Sequence, residues 1–151
     1  MKKSGLIATL AAGMILLSAC GSGTKTIDAA ALASSLATDI SYDDTLEKIS
    51  DEDVSMYIEV PKDVKSYVYM GSGSTAEEVA VFEAPDKDTA ATVKANVQTY
   101  LDDQSDSFQD YIPEESKRIG NAVLEQKDQY VILCVSGDSE GAKEIIEKAF
   151  K

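Results

Sequence analysis

Residues Tyr130-Val131-Ile132-Leu133-Cys134-Val135 form an unbroken apolar run of strand length, which is the clearest indication of the fold. Successive side chains of a β-strand point to opposite faces of its sheet. Both sets of alternating side chains are apolar here, and the run Glu77–Glu83 upstream has the same property. Since strands that are apolar on both faces need cover on both, the two runs predict central strands buried from two sides.

Each central run has a shorter strand-like neighbour in the sequence. Ser66–Met70 alternates Tyr and Val and is joined to Glu77–Glu83 through a loop that contains Gly71-Ser72-Gly73-Ser74. Residues 121–125 precede the second run, with Gln126-Lys127-Asp128 as the turn between them. Glycine- and Asp-containing loops between strand-like runs are typical of hairpins. The sequence therefore predicts two β-hairpins.

Helical spacing of apolar residues follows each hairpin and also precedes the first. We expect a long helix capped by Asp86 or Asp88, a final helix capped by Asp138 that ends near Phe150, and an N-terminal helix over Ala29–Ile40 capped by Asp28. The predicted buried faces of the two long helices are Ala90, Val93, Val97, Tyr100 and Leu101, and Ala142, Ile145, Ile146 and Ala149. Residues 51–58 predict a further short helix, residues 42–49 an irregular segment, and Pro113 the end of any preceding helix.

These elements predict an α+β fold of ββα-ββα order. We expect a four-stranded, mostly antiparallel sheet with the two long helices on one face, and residues 28–60 as cover for the other. An offset of 52 residues aligns the two halves without a gap, which is compatible with a structural duplication. Residues 28–151 are expected to form one domain.

The first twenty residues carry an export signal. Lys2 and Lys3 precede an apolar run, Leu6–Leu17, that is shorter than the roughly 20 residues of a membrane-spanning helix. The run ends in Leu17-Ser18-Ala19-Cys20, which resembles the lipobox of bacterial lipoproteins. That resemblance implies removal of residues 1–19 and a diacylglyceryl lipid on Cys20, which would anchor the protein to the outer face of the cell membrane. The alternatives are an ordinary signal peptide or a membrane anchor with a coincidental Cys.

Residues 20–27 are expected to be a flexible tether. Its Gly-rich part, residues 21–26, has a root-mean-square span of about 13 Å. Two acyl chains would hold the protein firmly, because each buried methylene contributes about 0.8 kcal/mol. The domain is therefore expected to lie close to the membrane.

Charge and composition exclude several classes of function. Removal of residues 1–19, which carry two lysines and no acids, changes the formal net charge from −13 to −15. Such a charge argues against nucleic acid as a partner and against adsorption on anionic lipid headgroups. It is typical of a solvated surface, and the alternative is attraction of basic partners or divalent cations. The chain has no His, which excludes His-based catalysis and His-ligated metals. Cys134 is expected to be a core residue, and no cofactor is implied.

The acidic and glycine-rich motifs do not predict a catalytic or metal site. The loop Gly71–Glu78 leads into a strand and lacks the Lys of a phosphate-binding loop. Asp51-Glu52-Asp53 is typical of a helix start. Calcium-loop spacing is missing from Asp102, Asp103, Asp106 and Asp110. The carboxylates that could act as a catalytic pair are Glu77, Glu78, Glu83, Glu114 and Glu115, although nothing in the sequence brings two of them together.

Several stretches resemble a known family. They are Tyr42–Leu46, Gly71–Glu83, Ser107-Phe108, Tyr111–Glu115, Asn121–Val123 and Tyr130–Leu133, which extend the similarity from about residue 28 to the end. In combination they are similar to the small lipoproteins of Gram-positive anaerobes described as domain of unknown function 4358. The resemblance implies a lipid-anchored, extracytoplasmic protein and supplies no catalytic residues.

The sequence favours a non-enzymatic surface lipoprotein that binds another component of the cell envelope, a protein or a polymer. Two alternatives stay open. One is a hydrolase of envelope polymers that uses carboxylates or Tyr, and the other is a small solute-binding lipoprotein.

Overall fold

The computed structural model describes residues 25–151, so the predicted signal peptide, the lipobox with Cys20 and the first part of the tether lie outside it. The helices are α1 (Ala29–Asp39), α2 (Asp51–Tyr57), α3 (Lys87–Gln109), α4 (Pro113–Gly120) and α5 (Ser139–Ala149). The strands are β1 (Glu47–Lys48), β2 (Lys65–Met70), β3 (Glu78–Glu83), β4 (Val123–Lys127) and β5 (Tyr130–Val135). The predicted α+β class is confirmed.

Local sequence sets where the helices begin. Side-chain oxygens of the residues before α1, α2, α3 and α5 accept a hydrogen bond from a first-turn backbone N–H that has no partner in the helix. These caps are Asp28, Ser50, Asp86 and Asp138. The N-terminal caps predicted at Asp28 and Asp138 are confirmed, and of the two caps considered for α3, Asp86 or Asp88, the structure shows Asp86. Hydrogen bonds from the backbone and the side chain of Thr89 hold the pKa of Asp86 below its usual value.

All neighbouring strands of the sheet are antiparallel, in the order β1-β2-β3-β5-β4. Both predicted hairpins are present, as β2–β3 and β4–β5. The central strands β3 and β5 pair over their full length, with Glu78 opposite Val135 and Glu83 opposite Tyr130. The sheet edges are β1, which has only two residues, and β4, which carries a Glu125–Lys127 ion pair of 3.0 Å.

The sheet separates two hydrophobic cores. On one side, here called the α3 face, α3 packs with α2 and the end of α4 over even-numbered residues of β3 such as Phe82 and odd-numbered residues of β5 such as Leu133. On the other side, the α1 face, α1 and α5 pack together over Val81 and Ile132. The predicted opposition of alternate side chains in both central strands is confirmed, and β5 is buried along its whole length.

The expected number of strands and the expected position of the helices were wrong. The sheet has five strands rather than four, and α3 and α5 lie on opposite faces rather than on one. The physical reason is the need for cover that the central strands themselves indicate. Segment 28–60 supplies only part of it, because α1 covers one face while α2 joins α3 on the other.

The geometry also argues against a duplication with an offset of 52 residues. That offset pairs Val81 with Leu133, yet Val81 faces α1 and Leu133 faces α3. Two neighbouring antiparallel strands are related by a twofold axis normal to the sheet, and rotation about that axis keeps a helix on the same face. A duplication of this kind would place α3 and α5 on one face, whereas they lie on opposite faces. The two ββα units are therefore not equivalent.

Three local predictions also need correction. The segment expected to be irregular contains β1, which is too short to show an alternating pattern. Pro113 begins α4 rather than only ending α3, because the first position of a helix needs no N–H donor. The second turn is Asp128-Gln129, since Lys127 still pairs with Tyr130; Asp128 has φ 54°, a conformation that short polar residues tolerate.

The sheet has two distinct ends. At the first, here called the tether end, β3 finishes at Glu83, β5 starts at Tyr130, and the Tyr130 hydroxyl accepts a hydrogen bond of 3.4 Å from the backbone N–H of Ile27. At the second, the loop end, β2 finishes at Met70 and β3 starts at Glu78. A six-residue strand spans roughly 17 Å between them.

Candidate functional site

Three segments that are distant in sequence meet at the loop end: residues 40–46 after α1, the loop 71–77 between β2 and β3, and α4. Glu77 Oε1 and Oε2 accept hydrogen bonds from the backbone N–H groups of Asp43 and Asp44, at 3.1 and 2.9 Å. Glu115 Oε2 accepts one from the backbone N–H of Ala76, at 2.8 Å. These bonds tie the loop to its neighbours on both sides.

A charge cluster, the Arg118 cluster, lies between these segments and consists of the buried Glu77 and Glu115, the partly buried Arg118 and the exposed Asp43. Arg118 Nη1 lies 2.7 Å from Glu77 Oε1 and 3.5 Å from Glu115 Oε2, and Nη2 donates to Asp43 Oδ2 at 2.5 Å. The Nη1–Glu77 contact is a close charge pair without the alignment of a hydrogen bond. Burial acts to lower the pKa of Arg118, but the three carboxylates outweigh it and raise the pKa.

The contacts of the Arg118 cluster hold the loop in place. Its two buried carboxylates, Glu77 and Glu115, each accept a backbone N–H hydrogen bond and lie beside the Arg118 guanidinium. A second carboxylate holds the loop from outside, because Asp44 accepts hydrogen bonds from the Ser72 hydroxyl at 2.7 Å and the Ser72 N–H at 2.6 Å. Those bonds, with one from Thr45, lower the pKa of Asp44.

Glu78 differs from the other acidic residues of the loop end. Its side chain lies on the α3 face, where Oε2 accepts a hydrogen bond of 2.8 Å from the Tyr100 hydroxyl. Only 4% of Glu78 is exposed, and no Lys or Arg among residues 25–151 forms an ion pair with it. Burial therefore raises the pKa of Glu78 to about 7, against the opposing effect of the Tyr100 bond. Burial and the nearby Glu78 charge also raise the pKa of Tyr100.

A cavity of about 260 Å³ opens beside Glu78. Part of its wall is apolar, and its polar lining residues come from the loop 71–77, β3 and α3. The lining residues used below are Met70, Glu78, Tyr100, Gln104, Phe108 and Ile119. A buried ionisable group with a shifted pKa at the wall of a cavity marks a candidate functional site.

A wider groove of about 480 Å³ lies between α1 and α5 at the tether end. Its ionisable residues, such as Asp28 and Lys148, are exposed to solvent. The groove begins at Lys25, where the chain continues toward Cys20. Because it contains no buried polar group, the candidate site is assigned to the smaller cavity.

Cys134 is a buried free thiol on the α1 face, as predicted. Its Sγ lies 3.5 Å from the Tyr42 hydroxyl, which donates to the carbonyl of Leu36 at 2.8 Å. Burial raises the pKa of the Cys134 thiol, so its reactive thiolate form is disfavoured.

The five carboxylates considered for catalysis separate into two groups. Glu77, Glu78 and Glu115 are buried near the loop end, whereas Glu83 pairs with Lys65 at the tether end and Glu114 is exposed. No local sequence signal indicates this convergence, because it depends on where α4 packs. The lipobox residues Leu17, Ser18, Ala19 and Cys20 lie outside the described range, and their roles stay predictions.

The other acidic motifs remain solvated. Within residues 25–151, no group of three or more side chains of the metal-binding types is arranged to hold an ion. Asp51-Glu52-Asp53 forms the first turn of α2, as predicted. Most tyrosines are at least partly buried, and the exposed ones are Tyr57 and Tyr111. No helix in the described part of the chain is both long and apolar enough to cross a membrane.

Sequence reasoning missed Arg118, although a signal was present. It is the one arginine in the chain, and it follows Pro113-Glu114-Glu115 within eight residues. Proline at the first position, acids in the first turn and bases in the last turn are typical of a helix. That pattern would have placed Glu115 and Arg118 on neighbouring turns of one helix face.

The fold and the site define the class of protein: an antiparallel sheet covered by helices on both faces, with a buried carboxyl beside an ion-paired loop. The chain belongs to the family described as Domain of unknown function (DUF4358), whose sequence model matches residues 40–136. The family resemblance stated from the sequence is thereby confirmed. The match includes the Arg118 cluster, Glu78 and Tyr100. No curated protein and no solved structure matches the chain.

Proposed function

We propose that this protein is a lipid-anchored module on the outer face of the cytoplasmic membrane that binds another envelope component through its loop end, without catalysing a reaction. The observation that carries the proposal is the position of the two ends of the sheet. The chain leaves toward Cys20 from the tether end, whereas three of the stretches that carry the family resemblance meet at the loop end through Asp43, Glu77 and Glu115.

The direction of α1 supports this arrangement. The helix starts at Asp28, close to the tether end, and the residues after it contact Glu77 at the loop end. A lipid on Cys20 would hold the tether end near the bilayer. The net charge of −15 after processing would turn the domain away from anionic lipid. The loop end would then face the space beyond the membrane.

The carboxylates support a binding role over a catalytic one. A carboxylate-dependent hydrolase uses two acidic side chains that flank the scissile bond. At the loop end Glu77 and Glu115 are held by Arg118 and backbone N–H groups, which leaves Glu78 as the buried carboxyl beside the cavity.

Site-directed photo-crosslinking in intact cells tests the proposal. A photoreactive residue at Ser74 in the exposed loop is compared with one at Lys87, an exposed residue at the tether end. We expect a discrete adduct from Ser74, weak or no adduct from Lys87, and loss of the Ser74 adduct in Cys20→Ala. Equal adducts from both positions, or none from Ser74, would contradict a role for the loop end.

One observation favours a second candidate, the envelope hydrolase. A carboxyl with a pKa of about 7 at a cavity wall has the property of a general acid. If this candidate is correct, the purified protein releases soluble fragments from isolated envelope polymer, and Glu78→Gln abolishes the release. Absence of release from the wild-type protein would leave the binding function as the explanation.

A further inference from the structure

The cavity at the loop end combines one uncompensated acceptor with apolar walls. Glu78 lies between Met70 of β2 and Val135 of β5 in the register of the sheet. Phe108 and Ile119 complete the apolar part of the wall. Such a combination suits a ligand with a short hydrocarbon stem and a polar end.

The carboxyl of Glu78 has only half of its hydrogen-bonding capacity in use. Oε2 accepts from Tyr100, whereas Oε1 accepts no hydrogen bond from any residue in the range 25–151. An ionised carboxylate has about four lone-pair positions. Its free oxygen is therefore an acceptor for a donor that enters the cavity.

The charges around Glu78 favour a cationic donor. The titratable neighbours of the Glu78–Tyr100 pair are Tyr57, the Cys134 thiol and Glu77, which lines the same cavity, and none of them supplies positive charge. The positive charge of Arg118 is taken up by the three carboxylates of its own cluster. An anion would meet an unfavourable field here, and a divalent cation would need more oxygen ligands than Glu78 can offer.

We propose that this cavity binds an alkylammonium group, of the kind that ends a lysine side chain, with the ammonium on Glu78 Oε1 and the methylenes against Met70 and Phe108. The inference rests on the proposed function, since it names the chemical group that an envelope partner would present to the loop end. Tyr100 is a positioning residue, because its hydroxyl fixes the orientation of the carboxyl.

The experiment follows the methionine methyl groups of the full-length protein in detergent micelles by NMR. Met70 lines the cavity and Met56 is 75% exposed on α2, so the second methyl serves as an internal control. The probes are N-acetyl-lysine methylamide and its uncharged analogue, N-acetyl-norleucine methylamide. We expect the lysine probe to shift the Met70 resonance in a saturable way at pH 8, with Met56 unchanged and the norleucine probe inactive.

Two further titrations separate binding from non-specific contact. Glu78→Gln keeps the shape of the side chain and an acceptor for Tyr100 but removes the charge, and it should abolish saturation with the lysine probe. Since only ionised Glu78 binds the ammonium, affinity at pH 5 should be about 100-fold lower than at pH 8. Absence of a saturable Met70 shift, an equal shift with norleucine, or unchanged binding in Glu78→Gln would each overturn the proposal.

Failure of the alkylammonium proposal is distinguishable from failure of the proposed function. A Ser74 adduct in cells together with an unresponsive Met70 would mean that a partner binds the loop end without using the cavity. A Met70 response without a Ser74 adduct would establish the cavity as an amine site and contradict the envelope partner.

Discussion

Replacing Glu78 with Gln is expected to stabilise the folded domain at alkaline pH and to leave its stability at acidic pH almost unchanged. The carboxyl is buried on the α3 face and has the Tyr100 hydroxyl as its partner. Both the protonated acid and the amide are neutral, and both offer an oxygen to Tyr100. The variant therefore differs from the wild type chiefly when the wild-type carboxyl must ionise.

The size of the effect follows from the shift in pKa. The pKa of Glu78 rises from 4.5 to about 7 on folding. A raised carboxyl pKa means that the folded state binds the proton more tightly, so this contribution to stability is complete below pH 4.5 and is lost as the pH rises through 7. Each pKa unit corresponds to about 1.4 kcal/mol, which gives a loss of about 3 kcal/mol in the wild type well above pH 7.

Urea unfolding of residues 25–151, which contain both hydrophobic cores, measures this difference by circular dichroism from pH 5 to 9. As the pH rises across that range, the free energy of unfolding of the variant should exceed that of the wild type by up to about 3 kcal/mol. Glu83→Gln, at the other end of the same strand, is the matched control. A constant difference between Glu78→Gln and the wild type from pH 5 to 9 would refute the reasoning.

Three further predictions concern the ion pairs, a helix cap and the buried thiol. Arg118→Met leaves the two buried carboxylates of its cluster without a cation and should cost about 3 to 5 kcal/mol in urea unfolding, whereas Lys65→Met, which breaks an exposed pair, should cause no measurable loss. A Cβ at Gly141 would overlap the Asp138 carboxylate. Gly141→Ala should therefore not show the increase of about 1 kcal/mol in the free energy of unfolding that this change usually brings in a helix. In an Asp138→Ala background the same substitution should stabilise. Cys134 should resist iodoacetamide in the folded protein and react in urea, as measured by mass spectrometry of its peptide; rapid native alkylation would contradict its burial.

The central part of the fold could be predicted because its signals are local. The apolar runs of β3 and β5, the alternation of Ser66–Met70 and the caps at Asp28 and Asp138 depend on neighbouring residues. Such signals determine where an element begins and which of its residues are buried. They carry no information about which face of the sheet a helix will cover.

The prediction that α3 and α5 lie on one face of the sheet was therefore wrong. Both helices are amphipathic and both follow a hairpin, so their sequences are equally compatible with either face. The choice is made by the other covering elements. Because α1 and α5 together cover the α1 face, α3 packs on the opposite face with α2 and α4.

The candidate site was beyond prediction for a related reason. Glu77 and Glu78 are adjacent in sequence but belong to different surroundings, one paired with Arg118 and the other with Tyr100. That separation arises because successive residues of a strand face opposite sides, and because α4 brings in the only arginine. Sequence analysis could name the acids, and only the tertiary contacts distinguish their roles.

The two edges of the sheet would have a consequence for a chain that is confined to a membrane plane, as we propose for this protein. Confinement raises the concentration at which copies of one protein meet, and open strand edges are the surfaces through which they would join into larger sheets. Here one edge is the two-residue strand of Glu47 and Lys48, and the other carries the Glu125–Lys127 pair. Charged side chains on edge strands oppose edge-to-edge pairing, so both edges would help many copies to share a crowded bilayer without aggregating.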